Sequence, residues 1–571
     1  MNKQHINFKH DQSGSIKSVS TDLHGEDIIH NPLLNKGTAF TKKERALFGL
    51  DCYLPERIET LDEQATRAHR QLQEKDNDIQ KYIYLNQLHD TNVTLFYALA
   101  SRNIEEVFPL IYTPTVGAAV EQYSHIMRRP QGMYLSYNHQ DKIGEIFSEY
   151  NADEIDFIIV TDGEAVLGIG DQGVGGMEIS IGKLMVYIAC AGINPARVLP
   201  IQLDVGTNNE RLLKDEEYLG WRHKRLEGEK YDSFIDRFVK NVQKHFPKIY
   251  LHWEDFGRGN ARRILEKYRQ EMCTFNDDMQ GTGIVAAANV IAGVNAAGGK
   301  LKEQKIIMFG AGTAGCGIAD QICDVLESAG LTQEQARRQI YLVDRFGMVT
   351  DYLKDVPSFQ LPYLKSKDVV ASWEVAKVEN ISLAEVVKNI QPTILIGVST
   401  VKGAFSKEIV QEMAGHVKHP IIMPLSNPNS LSEATPEDLI KWTDGNAIIA
   451  AGSPYSPVKY KGKTYRISQG NNMFIFPGLG LGTIAVQANR MTNNMIRAAC
   501  IKLSEFSPSR KDKKAPLLPP VSQVTEVSAA VAIAVAEQAI KDGVAEKKGD
   551  LTRLINQAKW TSTYYNYTKS E

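Results

Sequence analysis

The chain has 571 residues, which is enough for several domains that each bury a core of their own. Its content of 43% hydrophobic and 23% charged residues is ordinary for a soluble globular protein. A net charge of −3 argues against nucleic acid or an anionic membrane as a partner, and no apolar run reaches the length of about 18 residues that would span a bilayer.

The first part of the chain is polar and then becomes helical in pattern. Residues 1 to about 25 are polar, and we expect them to be mobile. Met1 to Thr21 lacks the apolar core of a signal peptide, so we expect a cytoplasmic protein. From Thr41 to about His125, apolar residues recur three and four positions apart, as in Leu85–Leu99, and predict helices. Six scattered cysteines form no Cys-x-x-Cys pair, which favours reduced thiols over a zinc or redox site.

Strand signals begin near Asp156, and each predicted strand ends beside polar residues. Open α/β sheets place their sites at the carboxyl ends of strands. Glu254-Asp255, which directly follows one of the predicted strands, is therefore a candidate site. The runs are Phe157–Val160 before Thr161-Asp162-Gly163, Val198–Leu203 before Asp204-Val205-Gly206, and Ile249–Trp253 before Glu254-Asp255.

From about residue 280 the pattern alternates between strand and helix, which is typical of a doubly wound parallel sheet. Gly315–Ser328 is one of the separating helices, and after Pro477 we expect helices again over Ile484–Ser504 and Val524–Ala539, with an exposed loop at Lys511–Pro520. The predicted buried strands are Ile306–Phe309, Ile340–Asp344, Ile394–Ser399, Ile421–Ser426 and Ala447–Gly452.

These patterns together predict an α/β protein. We expect a doubly wound, Rossmann-like NAD-binding domain at residues 278–472 and a second α/β domain, the catalytic one, at residues 130–277, completed by about 473–540. An N-terminal helical region would occupy residues 1–129, and a C-terminal tail residues 541–571.

A dinucleotide-binding fingerprint is formed by Gly310, Gly312 and Gly315, with Thr313 and Ala314 inside it. It follows an apolar strand and opens a helix, the context in which a GxGxxG pattern is specific. The glycines allow a tight turn and close approach of a pyrophosphate, whose charge the helix N-terminus favours; the alternative is a structural glycine turn.

Asp344 ends the next predicted strand and could accept hydrogen bonds from ribose hydroxyls, which favours NAD over NADP, although Arg345 beside it weakens this argument. A second glycine pattern, Gly168–Gly173, contains Asp171, which suits a pyrophosphate poorly. We therefore interpret the second pattern as a structural loop that borders the active cleft.

Glu254, Asp255 and Asp278 would form a set of hard oxygen ligands of the kind that Mg²⁺ and Mn²⁺ prefer. The alternative is that they are ordinary surface carboxylates. They adjoin the large apolar side chains of Trp253 and Phe275, where an unpaired carboxylate is costly. The residues alone leave both interpretations open.

Lys183 and Tyr112 are candidate proton-transfer residues. Lys183 lies in an apolar helical segment, where a lysine either extends its charge to the surface or, if desolvated, acts as a base. Tyr112 is either a general acid or an ordinary core tyrosine. The residue patterns alone favour neither role over its alternative.

Taken together, the motifs resemble those of the malic enzymes, from about Asn31 to near the C-terminus and with most similarity to the large bacterial NAD-dependent members. The matching stretches are Leu34–Phe40, Tyr112–Gly117, Thr161–Glu164, Asp204–Asn209, Glu254–Phe256, Phe275–Asp278, Leu425–Pro428 and Asn471-Asn472.

The resemblance implies oxidative decarboxylation of L-malate to pyruvate and CO₂ with reduction of NAD, and also decarboxylation of oxaloacetate. It also implies a homodimer or homotetramer. By the same resemblance, Glu254, Asp255 and Asp278 would hold Mn²⁺ or Mg²⁺. Lys183, which would lie beside Asp277, would take the proton of the malate C2 hydroxyl, and Tyr112 would protonate the enol. Asn427 and Asn471 would contact NAD and the substrate carboxylates, with Asn472 close by.

One position departs from the family pattern. Malic enzymes generally carry an arginine after Thr-Asp-Gly-Glu that contacts a substrate carboxylate, and here that position is Ala165. The related malolactic enzymes, which release lactate from malate, also lack this arginine and are the alternative. A remote alternative is a non-catalytic sensor of malate or NAD. Arg128 or Arg129 could replace the missing cation.

Overall fold

The computed structural model describes residues 6–570, apart from the side chain of Arg258, and the chain divides into two compact units. Unit 1 comprises Met1–Asn276, Phe476–Thr492 and Val524–Glu571, and unit 2 comprises Asp277–Ile475 and Asn493–Gln523. The ends of the predicted region 1–129 and of the predicted tail 541–571, residues 1–5 and 571, lie outside the described residues. The four-part division of the sequence stays a prediction.

The strands of the described chain are β1 (Asn7–His10), β2 (Ile16–Thr21), β3 (Met133–Ser136), β4 (Phe157–Thr161), β5 (Val198–Asp204), β6 (Tyr250–Glu254), β7 (Thr274–Asn276), β8 (Ile306–Phe309), β9 (Ile340–Asp344), β10 (Gly347–Met348), β11 (Ile394–Gly397), β12 (Ile421–Pro424), β13 (Ile448–Ala451), β14 (Val458–Tyr460), β15 (Lys463–Tyr465), β16 (Ser468–Gln469) and β17 (Asn566–Lys569).

The α-helices are α1 (Glu26–His30), α2 (Lys42–Phe48), α3 (Leu61–Gln73), α4 (Asp78–Thr91), α5 (Val93–Arg102), α6 (Ile104–Ile111), α7 (Thr115–Glu121), α8 (Ile143–Ser148), α9 (Met177–Ala191), α10 (Glu210–Lys214), α11 (Gly228–His245), α12 (Arg258–Tyr268), α13 (Thr282–Ala297), α14 (Thr313–Ser328), α15 (Gln333–Arg338), α16 (Lys367–Val370), α17 (Leu383–Ile390), α18 (Lys407–His416), α19 (Pro436–Trp442), α20 (Phe476–Ala485), α21 (Asn493–Glu505), α22 (Val524–Lys541) and α23 (Leu551–Ala558).

Unit 1 is built on a five-stranded parallel sheet with the order β3-β5-β4-β6-β7. Every residue of β4, β5 and β6 is buried, because helices cover both faces of the sheet, which explains why these strands are continuous apolar runs in the sequence. The helices predicted in the N-terminal part are present, and Thr41 and Thr60 begin α2 and α3 with capping boxes.

The expectation of a mobile segment up to about residue 25 is wrong for the described residues. β1 and β2 form a hairpin, and β2 pairs in parallel with β17 near the other end of the chain. Val19 and Tyr567 are buried against Phe40 and Phe48. Apolar burial therefore compensates for the ordering of a segment whose sequence is mostly polar.

Unit 2 contains a seven-stranded sheet with the order β10-β9-β8-β11-β12-β13-β16. In sequence order this is 3-2-1-4-5-6-7, the strand order of the dinucleotide-binding fold with one more strand at the edge. β10 runs antiparallel to β9 because only Arg345 and Phe346 join the two strands, too few for a parallel crossover. The fold is therefore α/β with parallel sheets, as predicted.

One predicted helix is divided in two, and one long apolar helix is buried. The expected helix over Ile484–Ser504 is instead two helices: α20 ends at Ala485, Gln487 adopts a φ of 47°, which no α-helix accommodates, and α21 begins at Asn493. The segment Gly173–Ala191, which contains α9, is long and apolar enough to cross a membrane. However, 94% of its most apolar stretch of 18 residues is buried inside the protein. It is therefore a core helix.

Candidate active site

The carboxyl ends of β4 and β6 carry the acidic candidates of unit 1. The two strands are neighbours, and Thr161 lies opposite Glu254. The chain continues from β4 to β5 on one side and from β6 to β7 on the other. In an open parallel sheet, such a reversal creates a crevice outside the carboxyl ends of the strands, where ligands bind.

Glu254 and Asp255 lie at this crevice and are each only 2% exposed. The surface-carboxylate alternative is therefore wrong for this pair. Asp255 has a φ of 56°, a strained value for a residue with a side chain, and its carbonyl accepts a hydrogen bond from the backbone of Ala165 at 3.0 Å. Two adjacent buried carboxylates require positive charge nearby.

Asp278 follows β7 after one intervening residue, and β7 pairs with β6, Asn276 lying opposite Trp253. Chain connectivity alone therefore keeps Asp278 close to the carboxyl end of β6. Glu254, Asp255 and Asp278 are one candidate group of metal ligands. Three carboxylates are the donor set that hard divalent cations prefer, so these residues fit such a cation.

Lys183 supplies one positive charge. It lies in α9, its side chain is 2% exposed, and its Nζ forms an ion pair with Glu254 Oε1. The surface-lysine alternative is therefore wrong. Lys183 Nζ lies 5.9 Å from the ring centroid of Tyr112, which directly follows α6, and 5.1 Å from that of Phe476. Unit 1 thus brings together both predicted proton-transfer residues and a predicted metal ligand.

His252 was not among the predicted site residues. It is completely buried in β6, and its Nε2 lies 2.6 Å from Glu254 Oε2. Its Nδ1 lies 2.8 Å from the hydroxyl of Tyr187 in α9. The signal was present in the sequence, because residues two apart in a strand share a face, so a histidine at position 252 must lie on the side of Glu254.

The loops after β4 and β5 are held together by a buried arginine. Arg225 forms ion pairs with Asp162 at 3.5 Å and with Asp171 at 2.8 Å. Asp171 also accepts hydrogen bonds from the backbone of Asn208 and the hydroxyl of Thr207. These bonds support the interpretation of the second glycine pattern as a structural loop.

Burial raises the pKa of Asp162 to about 6, although Arg225 acts against that shift.

Arg128 and Arg129, which could replace the arginine missing at position 165, have other partners. Arg128 forms an ion pair with Glu178 at the start of α9, and Arg129 donates a long hydrogen bond of 3.4 Å to the carbonyl of Asp90. Ala165 itself offers only its backbone N–H, which Asp255 occupies. Among the described side chains, neither Arg128 nor Arg129 is therefore assigned to the role expected at position 165.

In unit 2 the three fingerprint glycines meet three different demands. Gly310 has a φ of 101°, which favours glycine, and a Cβ on Gly315 would lie 2.0 Å from the carbonyl oxygen of Gly310. A Cβ on Gly312 would meet no protein atom within 4 Å. Thr313 and Ala314 begin α14, whose N-terminus follows this open space. The arrangement fits a pyrophosphate at the helix N-terminus.

Asp344 ends β9, as predicted. Its Oδ1 accepts from the backbone N–H of Arg345 at 2.9 Å, and its Oδ2 from Gln360 Nε2 at 3.2 Å. Gln360 also donates to the carbonyl of Ala311 at 2.7 Å, so it connects the fingerprint turn to the acidic residue. The guanidinium of Arg345 lies 4.6 Å from the ring centroid of Phe346, on the exposed turn between β9 and β10.

Asp277 and Asp278 begin a π-helical turn, Asp277–Gly281, a form that often marks functional sites. Asn472 Nδ2 donates to Asp277 Oδ2 at 3.0 Å and to Thr282 Oγ1 at 3.1 Å. The first of these hydrogen bonds orients the carboxylate of Asp277. Asn471 accepts from the backbone of Met473 at 3.0 Å.

Asn427 follows β12 and accepts a hydrogen bond from Ser453. The contacts of Asn427 and Asn471 with NAD and substrate stay predictions.

Comparisons with known proteins match two family models to this chain. Residues 89–269 match the family model "Malic enzyme, N-terminal domain", and residues 279–540 match "Malic enzyme, NAD binding domain". Among solved structures, the malic enzyme of Pyrococcus horikoshii has a TM-score of 0.54 at 23% identity over 80% of this chain and 88% of its own. That of Entamoeba histolytica has 0.55 at 21%, over 90% of each. Such likenesses show the fold.

Relatives found by sequence have a higher identity to this chain than those two solved structures have. A protein named "NAD-dependent malic enzyme" from Erwinia tasmaniensis is 48% identical over 97% of this chain and 99% of its own length. "NAD-dependent malic enzyme 3" from Bacillus subtilis is 48% identical over 96% of this chain and 97% of its own. At this identity and coverage, the chain belongs to the malic enzyme family.

Proposed function

We propose that this protein oxidises L-malate with NAD and decarboxylates the product to pyruvate and CO₂. The observation that carries the proposal is the buried group of Lys183, Glu254 and Tyr112 at the crevice between β4 and β6. A base, a metal ligand and an acid lie together within one unit, as a reaction with two proton transfers requires.

Each residue has a separate task in this proposal. Lys183, in its neutral form, takes the proton of the C2 hydroxyl as C2 is oxidised. Tyr112 gives a proton to C3 after CO₂ has left, and its ring lies close enough to Lys183 for both to act on one small molecule. When bound, the cation would polarise the C2 oxygen and NAD would accept the hydride.

Glu254, Asp255 and Asp278 are the proposed ligands of Mn²⁺ or Mg²⁺, and Asp277 is proposed to adjust the protonation of Lys183. Gly310, Gly312, Gly315 and Asp344 would hold NAD, and their geometry supports this assignment. Asn427, Asn471 and Asn472 keep the roles that the family resemblance implies. We also propose decarboxylation of oxaloacetate, a homo-oligomeric state and a cytoplasmic location.

A malolactic reaction is the second candidate, and Ala165 is the observation that favours it. With no arginine at this position, one substrate carboxylate lacks a charged partner that is typically worth about 1.5–3 kcal/mol. The relatives named above are NAD-dependent malic enzymes, which favours the first candidate.

The two reactions differ in their products. The purified protein is incubated with L-malate, NAD⁺ and Mn²⁺, and NADH, pyruvate and lactate are measured. We expect NADH and pyruvate in equal amounts and no turnover when a chelator removes the cation. NADP⁺ in a parallel reaction tests the preference for NAD by comparison of kcat/KM. Lactate without net NADH would overturn the proposal.

A further inference from the structure

Three side chains form a hydrogen-bonded series from the middle of α9 to the proposed metal ligand Glu254. The Tyr187 hydroxyl lies 2.8 Å from His252 Nδ1, and His252 Nε2 lies 2.6 Å from Glu254 Oε2. Tyr187 and His252 are completely buried, and Glu254 is 2% exposed. No water competes for these bonds at such burial, so they set the orientation of the groups that make them.

The chemistry of the groups fixes the direction of both bonds. A carboxylate only accepts hydrogen bonds, so the proton in the second bond belongs to His252 Nε2. In a neutral imidazole the other nitrogen then accepts, and the Tyr187 hydroxyl is its donor. Tyr187 therefore selects the tautomer of His252 that can bind Glu254.

The first member of the series is itself fixed by packing. The Tyr187 ring lies 4.6 Å from the ring centroid of Phe157 and 4.6 Å from that of Phe476. A Cβ on Gly480 would come within 2.7 Å of the ring, so only glycine at position 480 leaves room for it. Two aromatic rings and the backbone at Gly480 hold the tyrosine in one rotamer.

The two oxygens of Glu254 have different partners: His252 binds Oε2, and Lys183 binds Oε1. Rotation of the carboxylate would break both contacts. We propose that His252 and Tyr187 are positioning residues, which hold Glu254 so that Oε1 is presented to Lys183 and to the divalent cation. This inference rests on the proposed function, since it assumes that Glu254 binds a cation.

Partners of this kind commonly change metal affinity by about 10- to 100-fold when they are removed. We therefore expect His252→Leu to raise the Kd for Mn²⁺ by about this factor. Tyr187→Phe keeps the ring and removes the hydrogen bond to His252, together with a long one of 3.4 Å to the hydroxyl of Tyr250. Since only the bond to His252 leads to Glu254, we expect an increase of about 2- to 12-fold. His252→Gln keeps a donor near Glu254 and should restore part of the affinity.

The experiment measures binding of Mn²⁺ to the full chain by electron paramagnetic resonance of the free ion, without malate or NAD. Tyr97→Phe is the matched control, because Tyr97 is equally buried, in α5, and its hydroxyl has no hydrogen-bond partner among the described residues. We expect its Kd to equal that of the wild type. Circular dichroism melting identifies any variant that does not fold.

A double variant separates positioning from general packing. If Tyr187 acts through His252, then Tyr187→Phe has no further effect on Mn²⁺ affinity in the His252→Leu background. A Kd within twofold of the wild type for both folded single variants would overturn the proposal, as would additive effects in the double variant. A wild type that binds no Mn²⁺ would instead refute the metal site of the proposed function.

Discussion

The two parallel sheets of this protein place their functional groups at the same kind of edge but use different chemistry there. At the carboxyl ends of β4 and β6, unit 1 presents charged side chains, chiefly Lys183 and Glu254, and these two are buried. At the carboxyl end of β8, unit 2 presents glycine backbone and open space at Gly312. Charge therefore determines function at the first edge, and shape at the second.

This difference predicts how each edge responds to substitution. Removal of one buried charge leaves its partner uncompensated, so changes in unit 1 affect the reaction strongly. Addition of one carbon atom in unit 2 is harmless or severe according to the space around it.

The largest effect is expected for Lys183→Ala. Loss of a positioned base typically lowers kcat by about 10²- to 10⁴-fold. NADH binding, measured by fluorescence, should stay close to that of the wild type, since the glycine fingerprint is unchanged. Turnover within tenfold of the wild type would remove Lys183 from the mechanism, and wild-type protein without any turnover would favour the sensor alternative.

A pair of glycine variants tests the shape argument in unit 2. Gly315→Ala would place a Cβ 2.0 Å from the Gly310 carbonyl oxygen, so we expect loss of NAD binding together with a lower melting temperature. Gly312→Ala meets no protein atom, so it should fold normally and weaken only NAD binding. Equal melting temperatures for the two variants would contradict this account of the fingerprint.

A smaller effect is expected from restoration of the missing cation. Ala165→Arg restores an arginine at the position whose backbone N–H binds the Asp255 carbonyl, and a charged hydrogen bond of about 1.5–3 kcal/mol to a substrate carboxylate should lower the KM for malate by about tenfold or more. Ala165→Gln, of similar length and without charge, is the control and should have little effect. An unchanged KM in Ala165→Arg would show that the substrate carboxylate lies elsewhere.

The smallest effect concerns pH. Burial raises the pKa of Asp162 from its ordinary 3.8 to about 6. The folded state therefore holds this proton more tightly than the unfolded state, and the stability that results is present below about pH 4 and is lost as the pH rises towards 6. Between pH 4.5 and 7, the melting temperature of the wild type should fall relative to that of Asp162→Asn. Parallel curves would contradict the assigned shift.

The sequence allowed most of the fold to be predicted where the signal is local. The apolar runs Phe157–Val160 and Ile306–Phe309 are strands because helices cover both faces of their sheets. The hairpin of β1 and β2 was missed because its stability depends on Tyr567, which lies more than 500 positions away in the chain. Such pairing leaves no trace in a local window.

The site was predicted unevenly for a related reason. Family motifs indicated Glu254 and Lys183, but His252 lies inside an apolar strand and matches no motif. Its importance comes from the strand alternation that places it beside Glu254 and from Tyr187 in α9, a contact between residues 65 positions apart. The spacing of residues in the strand could have identified His252 as a neighbour of Glu254, but it could not have identified Tyr187 as a neighbour of His252.

The fate of the hydrogen on C2 of malate tests the central claim most directly. Malate deuterated at C2 is incubated with the protein, NAD⁺ and Mn²⁺, and the products are analysed by mass spectrometry. Oxidative decarboxylation predicts deuterium in the released NADH and unlabelled pyruvate in equal amount. Deuterium recovered at C2 of lactate, with no net NADH, would contradict the account and establish the malolactic reaction instead.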